Sequence, residues 1–545
     1  MGTASVDPAD IRLLAWVGAR MATIIYPVSS TDFVPQDLRN QGAIPTGSLA
    51  SMISEALSGR VADVQDADAG DSLSEIVPAL AVFRSDSRET ARLALAALDR
   101  FAAVGSPSAI PPMVRGLDAE RRSAPDESLK DYRQAIAIAP DAWPAVLGAT
   151  RDLLALGRPA EALSLLSAVP GDRLGDSDFR KVRAKALYEN ASFDAAAPLV
   201  AQALADDPLD ARLILLRARL LVRAHQWQQA IPLLDAYSTV DSSDRDLVLL
   251  RGLVAEGLRN RDDGLRWARK GLDANPDDPE FLSLAARLLL SPTATPPSAD
   301  QAARDIAEAR KDAQRACDLT APSANPPAGL SPARLAQRTE AGNLAALLLL
   351  EEAAGRFDWA GASQYVDRAP LAPGFSNESM VALVLRKSGD WPRALDQATL
   401  WYQAHPDSEP AAAAYLRALI GSGNRKAAED LLPRLLLAPG TTLGRSDLHY
   451  IQSLLAKNEE AALSSLRTAL VENADNVEAL LGVFDIYFRR QDWQGAAFYL
   501  KQAIALSPGD PEIIQRARDL AASAPSVAPP IPNSRALQPA PAAAP

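Results

Sequence analysis

Residues 491–508 read Gln491-Asp-Trp-Gln-Gly-Ala-Ala-Phe-Tyr-Leu-Lys-Gln-Ala-Ile-Ala-Leu-Ser-Pro508, and this stretch contains the features that decide the fold. Ala496 is a small residue in a helical pattern, and a small side chain at a helix contact lets two backbones approach closely. Pro508 ends the helix, because proline lacks the amide hydrogen that a continuing helix needs. The stretch predicts an amphipathic helix over residues 493–506, paired with another over residues 477–490.

The same pattern recurs every 34 residues. Residues 355–360, Gly-Arg-Phe-Asp-Trp-Ala, and residues 389–394, Gly-Asp-Trp-Pro-Arg-Ala, end in alanines 34 positions apart. This period gives one frame with repeats from residues 109, 143, 177, 211, 245 and 279, and a second with repeats from 341, 375, 409, 443 and 477. Repeat position 20 is small in both frames: Ser128, Ala162, Ala196, Ala230, Gly264, Ala360, Ala394, Ala428, Ala462 and Ala496. A recurring small residue predicts a recurring close helix pair.

The composition of the 545 residues favours helices over sheets. Aromatic residues make up 5% of the chain, and valine and isoleucine are sparse beside alanine and leucine. Strands favour β-branched and aromatic residues, whereas alanine and leucine favour helices. Because 48% of the residues are hydrophobic, the chain has ample material for a core. An all-α protein is therefore predicted.

Charge and reactive residues exclude several functional classes. The net charge of −12 disfavours a general nucleic-acid-binding protein, which usually needs a basic surface. One cysteine, Cys317, excludes an internal disulfide and a multi-cysteine metal site. The three histidines, His225, His405 and His449, lie far apart in the sequence. We therefore predict no catalytic residues, no cofactor and no metal site, and a protein that is not an enzyme.

The spacing of small residues and prolines resembles the tetratricopeptide repeat family. The prolines that separate repeats stand at repeat position 32: Pro140, Pro208, Pro276, Pro406 and Pro508. The resemblance covers about eleven repeats, over residues 109–510. It implies a helix-turn-helix solenoid, or superhelix, whose first helices line an inner groove that binds proteins.

The predicted organisation has regular arrays and irregular ends. Proline-rich breaks at residues 291–298 and 321–327 put the two frames out of phase, and residues 525–545 are rich in proline and alanine. The predicted parts are an irregular helical N-terminal capping region over 1–108, a first array over 109–290, a distorted repeat over 291–340, a second array over 341–510, a capping helix over 511–524 and a disordered tail over 525–545.

No segment of the sequence has the pattern of a membrane span. The longest candidate, residues 11–27, is interrupted by Arg12 and Arg20, whereas a span needs about 20 nearly uncharged residues. Direct membrane insertion is therefore not expected. The predicted location is the cytoplasm if Met1 is the native start, and the periplasm or cell envelope if a leader was removed before it.

Basic residues recur at repeat position 9 of the first helix, which reads Arg151, Lys185, Arg219, Leu253, Arg287 and later Arg417. The family resemblance implies that first-helix positions 2, 5, 9, 12 and 13 line the groove, which adds Arg212, Lys181 and Arg223. The resulting hypothesis is a basic groove for an acidic segment of a partner protein. The alternative is that each cation pairs with a nearby acid of the same chain, such as Asp152, Asp178 or Glu189.

Three functions are compatible with these features. The leading hypothesis is a non-catalytic scaffold for protein–protein interaction that binds a partner segment in its groove. The second is an accessory protein of the bacterial cell envelope, acting in polymer export or complex assembly. The third, supported least, is the substrate-binding arm of an enzyme complex.

Overall fold

The computed structural model describes residues 109–531, apart from 294–295, 323–328 and 373–377, together with residues 92, 95, 96 and 99. The described residues form 23 α-helices and two short 3-10 helices, with no strand among them. The predicted all-α, tetratricopeptide-type fold of helix-turn-helix repeats is thus confirmed. Most of the predicted N-terminal capping region and residues 532–545 of the predicted tail lie outside the described residues.

The helices follow one another with short turns. They are α1 Ile110–Arg121, α2 Pro125–Ile138, α3 Trp143–Ala155, α4 Pro159–Ser167, α5 Ser177–Glu189, α6 Phe193–Asp206, α7 Ala211–Arg223, α8 Trp227–Ser238, α9 Arg245–Gly257, α10 Arg261–Ala274, α11 Pro279–Leu290, α12 Ala299–Leu319, α13 Pro332–Gly355, α14 Trp359–Ser363, α15 Glu378–Ser388, α16 Trp391–Ala404, α17 Glu409–Gly421, α18 Arg425–Leu437, α19 Thr442–Leu454, α20 Glu459–Glu472, α21 Val477–Arg489, α22 Trp493–Leu506 and α23 Pro511–Ser523.

Contacts divide the chain into two compact units. Unit 1 comprises Met1–Gly257 and Asn325–Gln337, and unit 2 comprises Leu258–Ala324 and Arg338–Pro545. Within unit 1, each helix packs on the next helix along the chain. The first helices of neighbouring repeats also touch, for example α1 with α3 and α7 with α9. Unit 2 repeats this arrangement, for example where α15 touches α17 and α17 touches α19. The predicted boundaries near residues 290, 340 and 510 stay predictions.

The small residue at repeat position 20 is buried in eight of the ten repeats that have it. Ala196 and Ala496, for example, are fully buried, each three residues after its helix begins. The prediction is wrong for Ala360, which is exposed, while Ala362 is fully buried. Since α14 begins only at Trp359, the buried face starts two residues later than the 34-residue frame places it.

Turns between paired helices require a left-handed backbone conformation. Glycine supplies it at Gly157, Gly389 and Gly423, with φ between +69° and +81°. Other residues supply it at Ala191 and His225, with φ of 60° and 56°. His225 therefore has a structural role in the turn, where its ring also lies 5.1 Å from that of Trp227. Glycine adopts this conformation at the least energetic cost, which explains the glycines that open several repeat turns.

Aromatic rings pack directly on glycines of the neighbouring helix. The ring of Phe281, which is 1% exposed, lies over Gly271, and the ring of Trp391 lies over Gly421 in the same manner. A Cβ atom at either glycine would overlap the ring. The tryptophans at repeat position 17, Trp227 and Trp391, thus pack against the glycine of a neighbouring helix.

We expect Gly271→Ala to lower the free energy of unfolding by about 1–2 kcal/mol, although alanine favours a helix more than glycine does. The reason is that a Cβ at residue 271 would overlap the ring of Phe281, which is only 1% exposed. Gly355→Ala is the matched control, because no atom lies within 4 Å of a Cβ at this helical glycine. Urea unfolding measures both; a Gly271→Ala protein as stable as the wild type would contradict the packing described.

Two further predictions concern Cys317 and the C-terminal end of the array. Cys317 is 6% exposed, and burial raises the pKa of its thiol to about 11, so it is a buried, protonated thiol. After α23, Val527 and Ala528 still pack against the apolar cluster around Trp493.

Within the ranges given above, no helix is long and apolar enough to cross a bilayer.

Candidate functional site

The charged residues of the first helices follow a spacing rule that links one repeat to the next. The cation at position 9 of one repeat lies near position 2 of the following repeat, 27 residues later. Arg219 of α7 forms an ion pair with Asp246 of α9 in this way. The positive charge of Arg151 on α3 likewise acts on Asp178 of α5. We call the surface that bears these positions in α3, α5, α7 and α9 the first-helix face of unit 1.

Asp246 is the centre of the ion pairs on this face. Besides Arg219, it binds Arg245 at 3.0 Å and Arg334, whose Nη1 donates to Asp246 Oδ1 at 2.6 Å. Burial alone would raise the pKa of Asp246, but the hydrogen bonds from Arg334 and the charges of the three arginines lower it to about 2. The carboxylate is therefore ionised and fully neutralised at neutral pH.

Lys185 and Arg212 break the spacing rule. They occupy positions 9 and 2 of consecutive repeats, on α5 and α7, and the positive charge of Arg212 acts on Lys185, whereas the next repeat joins Arg219 to Asp246. Both residues are exposed, and in the part of the chain that the structure describes no carboxylate forms an ion pair with either. Partial burial lowers the pKa of Lys185; the charge of Glu189 opposes this, and those of Arg212 and Arg219 add to it. The two cations outnumber the one carboxylate that acts on Lys185, Glu189, so this spot has a net positive charge.

Most of the other cations predicted to bind a partner have contacts within the chain. Arg151 donates to both oxygens of Glu120, at 2.8 and 3.1 Å. Lys181 Nζ binds Asp207 at 2.7 Å and Asp210 at 3.1 Å. The guanidinium of Arg223 lies 4.2 Å from the centre of the Phe193 ring. In unit 2, Arg287 donates to Ser283 at 2.9 Å. The hypothesis of a groove that uses all eight cations stays a prediction, since four of them are neutralised by carboxylates: Arg151, Lys181, Arg219 and Arg417.

Unit 2 contains a denser group of charges around Arg417 of α17. Its guanidinium binds Asp447 of α19 at 3.0 Å and Glu478 of α21 at 2.8 Å, and it lies over the Tyr450 ring. Glu478 also accepts from Arg386 of α15 at 2.6 Å. A cavity of about 140 Å³ lies beside Arg386 and Arg417. Here the position-2 carboxylate, Glu478, comes from the second repeat after Arg417, which sequence analysis did not anticipate.

A segment of the chain itself lies on the first-helix face of unit 1. Residues 329–337 contact α5 and α9, although they follow α12 in the sequence. Ser331 donates to Glu189 at 2.5 Å, Arg334 binds Asp246, and Gln337 donates to the hydroxyl of Tyr188 at 2.9 Å. Sequence analysis assigned these residues to a distorted repeat with no role on this surface.

No arrangement for metal binding occurs among the described side chains, where no three His, Cys, Asp or Glu residues come together in a suitable group. The chemistry available on the first-helix face of unit 1 is ionic and hydrogen-bonding. It can hold a polypeptide segment, as residues 329–337 demonstrate.

Comparisons with known proteins agree with the repeat fold. A family model described as Tetratricopeptide repeat matches residues 121–186, so this part of the chain is similar to that repeat. No curated protein matches the sequence significantly.

Solved structures of similar fold cover different parts of the chain. A tetratricopeptide repeat protein from Parabacteroides merdae is 13% identical over 51% of this chain and 98% of its own, with a TM-score of 0.34. PilW, a type IV pilus biogenesis factor, is 20% identical over 39% of this chain and 99% of its own, with a TM-score of 0.32. A chain of the APC/C hetero-tetramer Cut9-Hcn1 is 12% identical over 95% of this chain and 97% of its own, with a TM-score of 0.35. At these identities and scores the likeness says nothing about function.

Proposed function

We propose that this protein is a non-catalytic scaffold for protein–protein interaction, and that the first-helix face of unit 1 binds an acidic segment of a partner at Lys185 and Arg212. The observation that carries the proposal is the pair of exposed cations at positions 9 and 2 of consecutive repeats, where the next repeat instead pairs Arg219 with Asp246. Two carboxylates of a partner would supply the missing counter-charges. An arginine is well suited to this, since its planar guanidinium binds a carboxylate through two parallel hydrogen bonds.

The charge of the site determines how binding depends on salt. Both cations are exposed, so salt screens their attraction for a partner, and the Debye length falls from about 30 Å at 0.01 M to about 8 Å at 0.15 M. We therefore expect faster association and tighter binding at low ionic strength, with the larger effect on the association rate.

A fluorescein-labelled oligoglutamate peptide tests the proposal by fluorescence anisotropy. We expect the wild-type protein to bind it, and Lys185→Glu combined with Arg212→Glu to weaken binding by about tenfold or more, which corresponds to about 1.4 kcal/mol. The matched control is Lys130→Glu with Arg133→Glu, a charge reversal of equal size on exposed residues of α2. Equal loss in both double variants, or binding that does not change with salt, would show that the peptide binds elsewhere or nonspecifically.

A further inference from the structure

The Lys185–Arg212 site lies where two neighbouring first helices are spread apart. First helices approach closely in the pairs α1–α3, α3–α5 and α7–α9, but α5 and α7 approach each other less closely. Lys185 lies on α5 and Arg212 on α7, and the positive charge of Arg212 acts on Lys185. Like charges repel each other, so the excess of positive charge and the wider spacing of the two helices agree.

Residues 329–337, which are the three residues before α13 and its first six residues, fill this gap. Ala333 is fully buried in the apolar cluster that contains Ala184 and Tyr188 of α5 together with Leu216 and Leu220 of α7. The anchors on either side, at Glu189 and Asp246, hold the segment across the first-helix face from α5 to α9. A partner segment that reached both Lys185 and Arg212 would have to cross the same gap.

We propose that residues 329–337 regulate the Lys185–Arg212 site by competing with the partner's acidic segment for the gap between α5 and α7. The proposal rests on the function proposed above. Without a partner the segment occupies the gap. Binding of an acidic partner displaces it, which unwinds the first residues of α13, and anything that weakens its anchors raises the affinity for the partner.

The contacts of the segment suit a reversible occupant. Its buried apolar contribution comes from one alanine, a small side chain, while the larger Leu335 remains 42% exposed. Its main anchor is Arg334 on Asp246. When Arg334 leaves, Asp246 still has Arg219 and Arg245 as partners, so no unpaired carboxylate is left behind. Release therefore avoids the large cost of isolating a buried charge.

Arg334→Ala tests the regulation with the oligoglutamate probe. We expect this variant to bind the probe about tenfold more tightly than the wild type, because the gap becomes available. A simple electrostatic effect has the opposite sign, since the substitution removes a positive charge near the site. Arg212→Ala, which also removes one positive charge, is the matched control and should weaken binding.

Hydrogen exchange separates failure of the regulation from failure of the proposed function. In Arg334→Ala, and in the milder Ser331→Ala, we expect the amides of residues 333–337 to exchange faster while α5, α7 and α9 keep their protection. Loss of protection in those helices together with the segment would show that the segment is a structural part of unit 1, and would overturn the regulation. Equal binding of the probe by the wild type and Arg334→Ala would also overturn the regulation. If neither variant nor the wild type binds it, the proposed function itself is wrong.

Discussion

Glu478→Gln should destabilise unit 2 by about 3 kcal/mol at neutral pH, the order of cost of removing one partner from a buried ion pair. The Glu478 side chain is 23% exposed and binds Arg386 and Arg417, while Arg417 is only 14% exposed. With glutamine at 478, Arg417 retains Asp447 alone as a carboxylate partner. Buried Arg417 Nε already has no hydrogen-bond partner among the described residues, so the substitution weakens a guanidinium that is not fully hydrogen-bonded.

The effect has a defined pH dependence. Burial alone would raise the pKa of Glu478, but the charges of Arg417 and Arg386 lower it to about 2, against an ordinary value of 4.5. A carboxyl with a lowered pKa contributes stability that is fully present above about pH 4.5 and is lost as the pH falls towards 2. The difference between the wild type and Glu478→Gln should therefore shrink over this range.

Hydrogen exchange of α17, α19 and α21 measures this loss locally, which suits a repeat protein that need not unfold as one unit. The matched control is Glu459→Gln. Glu459 also binds two arginines, Arg489 and Arg490, but it is more exposed, so solvent screens its pairs and the change should be much smaller. If the two substitutions had equal effects, burial would not be what makes Glu478 important.

The repeat spacing could be predicted from the sequence because it depends on local packing. A small residue recurs wherever two consecutive helices touch, and eight such positions are buried as expected. The frame fails at Ala360, where α14 is short and begins late. The 34-residue count fixes the register only as long as every helix begins at the same point of its repeat.

Only part of the candidate site could be predicted from the sequence. The row of cations at position 9 is a local pattern, whereas the partners of these cations come from the next repeat or beyond. Comparing position 9 with position 2 of the next repeat would have separated Arg219, which faces Asp246, from Lys185, which faces Arg212. No such comparison would have placed residues 329–337 on this face, since Ser331 meets Glu189 across 142 positions of sequence.

The substitution Asp152→Asn should have the opposite effect to Glu478→Gln and stabilise unit 1 at neutral pH. Asp152 is 3% exposed, and its Oδ2 has no hydrogen-bond partner among the described residues. Burial raises its pKa to about 6; a hydrogen bond with Ser128 and the charge of Arg151 oppose the shift, and that of Glu120 adds to it. Ser128 donates its one hydroxyl proton to the carbonyl of Gly116 at 2.8 Å, so its oxygen is better placed to accept from a protonated Asp152 than to donate to a charged one.

The sign of the pH dependence follows from the raised pKa. Between an ordinary value of 3.8 and about 6, the folded protein binds a proton that the unfolded chain has released, so stability falls as the pH rises through this range. Asparagine is neutral throughout, and we expect Asp152→Asn to gain about 2–3 kcal/mol above pH 6 and nothing below about pH 4. Asp141→Asn, at an exposed turn, is the control and should change stability by less than about 0.5 kcal/mol. Urea unfolding at several pH values measures both variants. A gain that is the same at every pH would mean that improved packing, and not relief of a buried charge, stabilises the variant; a loss at neutral pH would mean that the ionised carboxylate has a partner that the fold needs.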